Sequence, residues 1–456
     1  MADKKRENFS SKLGIIVATA GSALGLGNIY RFPCEAGANG GGAFLIVYLV
    51  VALMIGTPLM ISEFIIGRRS RSNPIGAFRI LGGKGSDGSG KKSAWPLVGY
   101  LGVGCAFLIL AFYTTVAGWT LGYLGKAAAN HFNGQDLVQI QGQFDSFTNH
   151  PWLPILCQMV FLALTAFVVA RGVKDGIEKW SKVLMPLLLV ILIVLCVKSL
   201  TLSGAGDGLR FFFRPDFSKI TGRVLISALG QSFFSLSIGM GALITYGSYI
   251  GRKDNMTTSA IGVVLADTLV AVMAGVIIFP AAFTFGIQPE AGASLAFTTL
   301  PMVFQQMTGG YFFCLIFFLL LVIATLTSTI SLLEVIVAAL TEELHLTRTL
   351  AAVLGAVGTG IIGLFATLSF RTGSPLHLGG RSVFDLLDHL TASYFMPLGG
   401  LLIVLFVGWH MKRADTLDEL TNGGTLRAGI RKAILFIIRY IAPVAITVIF
   451  ISQLVR

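Results

Sequence analysis

Gly21-Ser22-Ala23-Leu24-Gly25-Leu26-Gly27-Asn28 and Ser235-Leu236-Ser237-Ile238-Gly239-Met240-Gly241 are the two stretches whose reading decides the fold. Each lies near the middle of a long apolar run, one in the first such run of the chain and the other in the sixth. A glycine costs a helix roughly 1 kcal/mol relative to alanine, so a cluster of them weakens a helix where it stands. Taken alone, Gly21 and Gly25 also fit a close-packing face of the small-xxx-small kind. Interruptions at matching places in two successive blocks of five runs point further, to an inverted repeat whose opening helices are broken at mid-membrane. At such a break amides and carbonyls lose their i→i−4 partners and persist only if something polar satisfies them. Bare carbonyls suit a small cation, and bare amides at a half-helix start suit an anionic group. A zwitterion together with a small cation meets both demands.

The composition agrees with a bilayer as solvent. Of 456 residues 54% are hydrophobic and only 12% charged, about half the charge of an ordinary soluble domain. Apolar runs long enough to cross a hydrocarbon core fall near 13–36, 42–68, 95–125, 152–171, 180–200, 224–251, 257–286, 310–341, 348–368, 383–411 and 432–454. Irregular backbone cannot face lipid, so the expected fold is all-α and integral to the membrane, with about eleven spanning helices. The expected division is an N-terminal arm 1–12, a first five-helix repeat 13–200, a second repeat 201–411 with a lid-like helical loop 289–308, and a linker with an eleventh helix over 412–456. The net charge of +12 sits in short connections, where it sets topology rather than binding nucleic acid. Lys4, Lys5, Arg6, the stretch Arg68 to Lys92, Arg171 to Lys182, Arg252, Lys253, Arg348 and the stretch Lys412 to Lys432 share one side. That places the N-terminus in the cytoplasm. Lys4 to Ala23 also has the form of a signal peptide, but the run continues into Arg31-Phe32-Pro33. The five cysteines show no metal or disulfide spacing, and the glycine-rich stretch Gly82 to Gly90 lacks the phosphate-loop pattern.

The runs AGSALGLGNIYRFP (20–33), GGGAF (40–44), GTPLMISEFIIGR (56–68), Trp119-Thr120-Leu121-Gly122, GQSFFSLSIGMG (230–241) and LTSTISLLE (326–334) resemble the neurotransmitter:sodium symporter family, including its bacterial amino-acid members. The resemblance extends to about residue 410. Broken first and sixth helices are already known in this family, so the glycine pattern and the resemblance are not independent supports. The resemblance implies a sodium-coupled importer of a neutral, hydrophobic or aromatic L-amino acid, in a bacterial inner membrane, and no enzyme. It implies two sodium positions: one at the Ala23 carbonyl, Asn28, Ser235, Asp267 and the substrate carboxylate, the other at the Gly21, Leu24 and Ala324 carbonyls, Thr327 and Ser328. The hydroxyls among these have an alternative, back-bonding to a carbonyl one turn earlier. Asp267, alone in an apolar run, marks a pathway by default. Animal relatives need chloride near this place, and a fixed carboxylate implies independence from it. Glu63 and Glu334 are further intramembrane carboxylates. For Glu63 a buried network near the first break and a proton role are open alternatives, and Glu334 has no assigned role.

By the same resemblance Ser22, Ala23, Gly27, Ile109, Tyr113, Phe234, Ser235, Ser237, Met240, Ser328 and Leu332 wall the substrate pocket. No acidic or basic group stands on this wall, which disfavours a charged substrate and a monoamine. Arg31 with Asp388, and Asp385 nearby, would gate the pocket outside. Arg6 with Glu342, helped by Phe9 and Tyr249, would gate it inside. Gly176 and Pro186 would loosen the start of the fifth helix. The resemblance also leaves a monomer or weak oligomer as the expected state, because the twelfth helix of many relatives is missing. The rivals are the same fold carrying another small zwitterion or coupled partly to protons, a channel, and a membrane hydrolase. The last is disfavoured because all six histidines fall in loops or near helix ends.

Overall fold

The computed structural model describes residues 8–83, 93–135, 137–286, 295–305, 307–422 and 431–454. Arg6 and the stretch 84–92 lie outside the described residues, as do 289–294 at the start of the expected lid. Among the described residues nine helices are continuous, apolar and long enough to cross a membrane: Gly42–Ser70 (span 2), Pro96–Ala128 (span 3), Leu153–Ala170 (span 4), Val173–Leu200 (span 5), Met256–Phe285 (span 7), Gly310–Glu343 (span 8), Arg348–Leu368 (span 9), Val383–His410 (span 10) and Arg431–Ser452 (span 11). Span 1 is a bent pair, Leu13–Ala23 (1a) and Gly27–Ala38 (1b), with 54° between its halves. Span 6 is also interrupted, into Gly222–Ser235 (6a) and Ala242–Gly247 (6b). Half-span 6a packs on the Gly42–Val51 part of span 2 and 6b on its Thr57–Ser70 part. The two halves of span 6 therefore run the length of span 2, and together with span 1 they bring the spans to eleven.

Packing between the two blocks joins the first four helices of one to their counterparts in the other. Span 1 meets span 6, span 2 meets span 7, span 3 meets span 8 and span 4 meets span 9. Without water to drive apolar surfaces together, such contacts rest on close backbone approach and on hydrogen bonds. Both occur. A Cβ on Gly247 would stand 2.9 Å from the Phe64 Cα, and one on Gly67 would stand 2.8 Å from the Ser248 amide nitrogen, so span 2 and half-span 6b touch through glycine on both sides. Gln158 of span 4 donates to the Thr114 hydroxyl at 2.9 Å and accepts from Thr367 at 2.8 Å. Thr367 also meets Thr115 at 2.9 Å, and Thr165 meets Thr329 at 2.9 Å. Spans 3, 4, 8 and 9 are thus cross-bonded at buried positions.

Three features add to or shift the sequence expectation. Span 5 starts at Val173, not near 180, because Val173–Glu178 forms a π-turn that continues into the helix. Its charged residues read as loop in the sequence, yet at a membrane interface such side chains reach toward water from a helical backbone. Of the expected lid, Leu295–Gln305 is helical and packs on a short helix, Leu137–Asn149, and on span 8. The connection from span 10 to span 11 holds a helix, Arg413–Thr421, pinned by a buried ion pair. The Arg68 Nε lies 2.6 Å from Glu419 Oε2, and both side chains are buried. The same guanidinium donates to the Glu419 carbonyl at 2.6 Å, the Asp254 carbonyl at 2.9 Å and the Asn422 side chain at 3.0 Å. Breaking a buried pair strands the remaining charge, at a cost of about 3–5 kcal/mol. Glu419→Ala is therefore expected to lower the melting temperature of the detergent-purified protein clearly, whereas Asp418→Ala, at a half-exposed site, leaves it nearly unchanged.

Candidate functional site

The two breaks face each other. In span 1, Leu24 leaves the helical region at φ −82°, ψ 81°, and helix resumes as a π-turn at Gly27–Arg31. The Leu26 amide, bare at this point, donates to the Tyr113 hydroxyl at 3.1 Å, and the Gly27 carbonyl accepts from Gln231 Nε2 at 2.7 Å. In span 6, Ser237, Gly239 and Gly241 all take positive φ, at 56°, 85° and 76°. For serine that conformation is strained by about 1–2 kcal/mol, and its hydroxyl is held by the Ser22 carbonyl at 3.0 Å. Gly239 has a second reason to lack a side chain, since a Cβ there would meet the backbone of Met396. Its amide donates to Glu63 Oε1 at 2.7 Å. The buried carboxylate of Glu63 thus serves the sixth break, where the sequence pointed to the first.

Asp267 is buried against span 1 with three donors around its carboxylate. Asn28 Nδ2 lies 2.7 Å from Oδ1 and 3.0 Å from the Asp267 carbonyl. The Ser235 hydroxyl reaches Oδ1 at 2.7 Å and the Tyr48 hydroxyl reaches Oδ2 at 2.7 Å. Tyr48 was not among the sequence candidates. A tyrosine in GAFLIVYLVV carries no sign of which way its hydroxyl faces, and only the need of a buried carboxylate for donors could have called for it. One carboxylate among neutral oxygens suits a hard monovalent cation. Among the described residues no group of three or more His, Cys, Asp or Glu side chains is placed to hold a metal.

A second group meets where span 1 passes span 8. The Thr327 hydroxyl bonds the Ala324 carbonyl at 3.0 Å and lies 3.5 Å from the Leu24 carbonyl. Gly21 packs on it, with 3.5 Å from a Cβ there to the Thr327 Cβ. Thr327 therefore back-bonds within its helix while facing the break. The Ser328 hydroxyl points elsewhere, toward Gly25 and Tyr113.

Between the breaks lies a cavity of about 30 Å³. Ser22, Ala23, Gly27, Ile109, Tyr113, Phe234, Ser237, Met240, Ser328 and Leu332 line it, as expected from the sequence, and Gly25 joins them. Ser235 is the exception, because its hydroxyl is turned to Asp267. Phe234 and Tyr113 also border a larger vestibule of about 310 Å³ that contains Arg31, Glu35, Phe384, Asp385 and Asp388. The Arg31 guanidinium stands 4.5 Å from the centre of the Phe234 ring and 3.8 Å from Asp388. Asp385 has a local role as well, accepting from Ser382, whose hydroxyl in turn accepts from the Asp385 amide at 3.0 Å.

On the opposite side the Phe9 ring meets Tyr246 and Tyr249 edge-on, both at 5.9 Å. Tyr249 donates to Glu334 at 2.5 Å, and Arg348 pairs with the same carboxylate at 2.5 Å. Glu334, unassigned in the sequence, is thereby neutralised by a residue opening the next span. Glu342 accepts from the Ser72 hydroxyl at 2.9 Å and the Asn73 amide at 2.8 Å; its expected partner Arg6 lies outside the described residues.

A helical bundle with two facing helix breaks, an uncharged cavity between them and oxygen clusters on both flanks is the architecture of an inverted-repeat secondary transporter. A sequence model described as SNF, the Sodium:neurotransmitter symporter family, matches residues 6–131 and 125–456. The chain is 38% identical over 452 residues to the sodium-dependent transporter YhdH of Bacillus subtilis (strain 168), across 99% of this chain and 98% of that one. It is 26% identical over 476 residues to the sodium-dependent dopamine transporter of Bos taurus, covering 91% of this chain and 65% of that protein. The crystal structure of MhsT in complex with L-phenylalanine is 41% identical and superposes with a TM-score of 0.89, covering 98% of this chain and 100% of the other. The chain belongs to the sodium:neurotransmitter symporter family of sodium-dependent membrane transporters.

Gly25 provides a test of the cavity. A Cβ there would overlap the Ser328 hydroxyl and stand 2.8 Å from the Tyr113 hydroxyl. Gly25→Ala is expected to abolish sodium-dependent ligand binding to the purified protein, measured by scintillation proximity, while leaving its melting temperature within a few degrees of wild type.

Proposed function

We propose that this chain couples the inward flow of two sodium ions to import of a neutral, hydrophobic or aromatic L-amino acid by alternating access, without need of chloride. The observation that carries this reading is the cavity wall. Ile109, Phe234, Met240 and Leu332 offer apolar surface, and among the described residues no acidic or basic side chain lines the space. A charged substrate side chain would be desolvated there without a partner, at a cost of several kcal/mol. The substrate carboxylate finds the amides at the start of half-span 1b and the Tyr113 hydroxyl; the solved relative in complex with L-phenylalanine supports the same class of ligand.

In this reading the first sodium is held by the Ala23 carbonyl, Asn28, Ser235, Asp267 and the substrate carboxylate. The second is held by the carbonyls of Gly21, Leu24 and Ala324 with Thr327, and with Ser328 once its hydroxyl turns from Tyr113. Asp267 supplies a fixed negative charge beside the first ion, and Tyr48, Ser235 and Asn28 orient it. Arg31 and Asp388 close the outer path; Phe9, with Arg6 and Glu342, closes the inner one. The protein sits in a bacterial inner membrane with the N-terminus in the cytoplasm, so a membrane potential negative inside adds about 2.3 kcal/mol per charge per 100 mV to the sodium gradient.

In liposomes, labelled L-phenylalanine, L-leucine or L-tryptophan is expected to accumulate under an inward sodium gradient and not under potassium; equal uptake in the two overturns the reading. Replacing chloride by gluconate is expected to change wild-type uptake by less than about twofold. Asp267→Asn is expected to lose most sodium-driven uptake in gluconate, because a neutral amide leaves the ion's charge unbalanced at a buried site.

A further inference from the structure

Glu178 plays no part in the reading above. It ends the π-turn that opens span 5, and its side chain is buried. Three donors converge on it. The Ser10 amide donates to Oε2 at 2.8 Å, the Ser10 hydroxyl bonds Oε1, and the Lys182 ammonium lies 2.6 Å from Oε1. Lys182 also reaches the Ser10 hydroxyl at 3.3 Å. This approach needs an absent side chain on span 1a, because a Cβ on Gly14 would overlap the Glu178 carboxylate. One turn and more further along the same seam, Met185 packs on Gly21, with 3.7 Å between its sulfur and a Cβ placed there. The seam between spans 1a and 5 therefore leads from the Glu178 carboxylate to a residue of the second sodium position. On the other flank, the neighbouring Phe9 is anchored to Tyr249 by its amide, at 3.2 Å, and by its ring. Consecutive residues of the arm thus fasten it to different walls, Phe9 to half-span 6b and Ser10 to span 5.

We propose, taking the chain as the sodium-coupled transporter argued above, that Glu178 is a positioning residue that latches the N-terminal arm to span 5 and sets how readily the path from the second sodium position opens toward the cytoplasm. The latch holds while Ser10 and Lys182 saturate the carboxylate. Parting of spans 1a and 5 withdraws the Ser10 donors and leaves Glu178 paired with Lys182 alone, at the start of a helix that a π-turn and Pro186 already weaken.

The test uses full-length protein in which the native cysteines are replaced by alanine and Met185→Cys reports opening of the seam. Its alkylation by N-ethylmaleimide is followed in sodium buffer. Glu178→Gln and Ser10→Ala each are expected to raise the rate about tenfold, the scale of a charge-assisted hydrogen bond. Gly14→Ala is expected to raise it as much, although alanine strengthens a helix; a merely structural glycine would give a slower or unchanged rate. The combination of Ser10→Ala with Gly14→Ala is expected to add little to either alone, since both release the same contact. Rates within about twofold of the parent in all these variants overturn the proposal. Binding of labelled L-phenylalanine with and without sodium, measured on the same samples, reports separately on the transport reading. If that binding fails in the parent, the substrate assignment falls while the alkylation rates still decide the latch.

Discussion

Peptide groups left without helical partners in the middle of a membrane are the constraint on which the rest of the structure depends. A bare amide or carbonyl in hydrocarbon costs several kcal/mol, and spans 1 and 6 each present several. The protein answers with protein atoms at some of them: Tyr113 for the Leu26 amide and Glu63 for the Gly239 amide. These partners come from spans 3 and 2, so the breaks tie the bundle together at the level where it is weakest. Under the proposed function, the oxygens that flank the breaks, around Leu24 and Thr327 on one side and Asp267 on the other, are the ones that meet sodium.

Charge is handled with equal economy. The buried carboxylates described here have distinct partners: Asp267 takes hydroxyl and amide donors, Glu63 a backbone amide, Glu334 an arginine, Glu178 a lysine and a serine, and Glu419 an arginine. Those paired with full cations, Glu334, Glu178 and Glu419, lie at one end of the bundle. The two that face the breaks, Asp267 and Glu63, meet only neutral donors. A carboxylate neutralised by arginine has no attraction left for sodium, whereas one held by hydroxyls keeps it.

Much of this was legible in the sequence. Hydropathy placed the spans, because lipid enforces helices of nearly fixed length. Clustered glycines placed the breaks, and Asp267 stood out as a charge in an apolar run. What escaped was direction. Nothing in AFLIVYLVV says that Tyr48 turns toward Asp267, and nothing in LGQSFFS says that Gln231 reaches Gly27. Rotation of a nearly uniform apolar helix about its own axis leaves little trace in composition. Glu178 escaped for the opposite reason. Its neighbours Lys174, Asp175, Lys179 and Lys182 look like a loop, and helix in that stretch is stabilised by contacts from the distant arm. Ser235, read both as pocket wall and as a neighbour of Asp267, serves the second reading in this structure, because a buried carboxylate outbids an apolar cavity for a hydroxyl.

The hydroxyl and amide bonds that stitch spans 3, 4, 8 and 9 have a mechanical consequence. Such bonds have fixed lengths and directions, and in dry surroundings no water stands ready to replace them. Four helices so riveted behave as a stator. They carry Ile109 and Tyr113 on one member and Ser328 and Leu332 on another, so the cross-bonded set supplies one wall of the cavity and the broken spans 1 and 6 the other. Under the proposed function a solute would be measured on one side against a surface that does not yield, and on the other against one free to adjust to it.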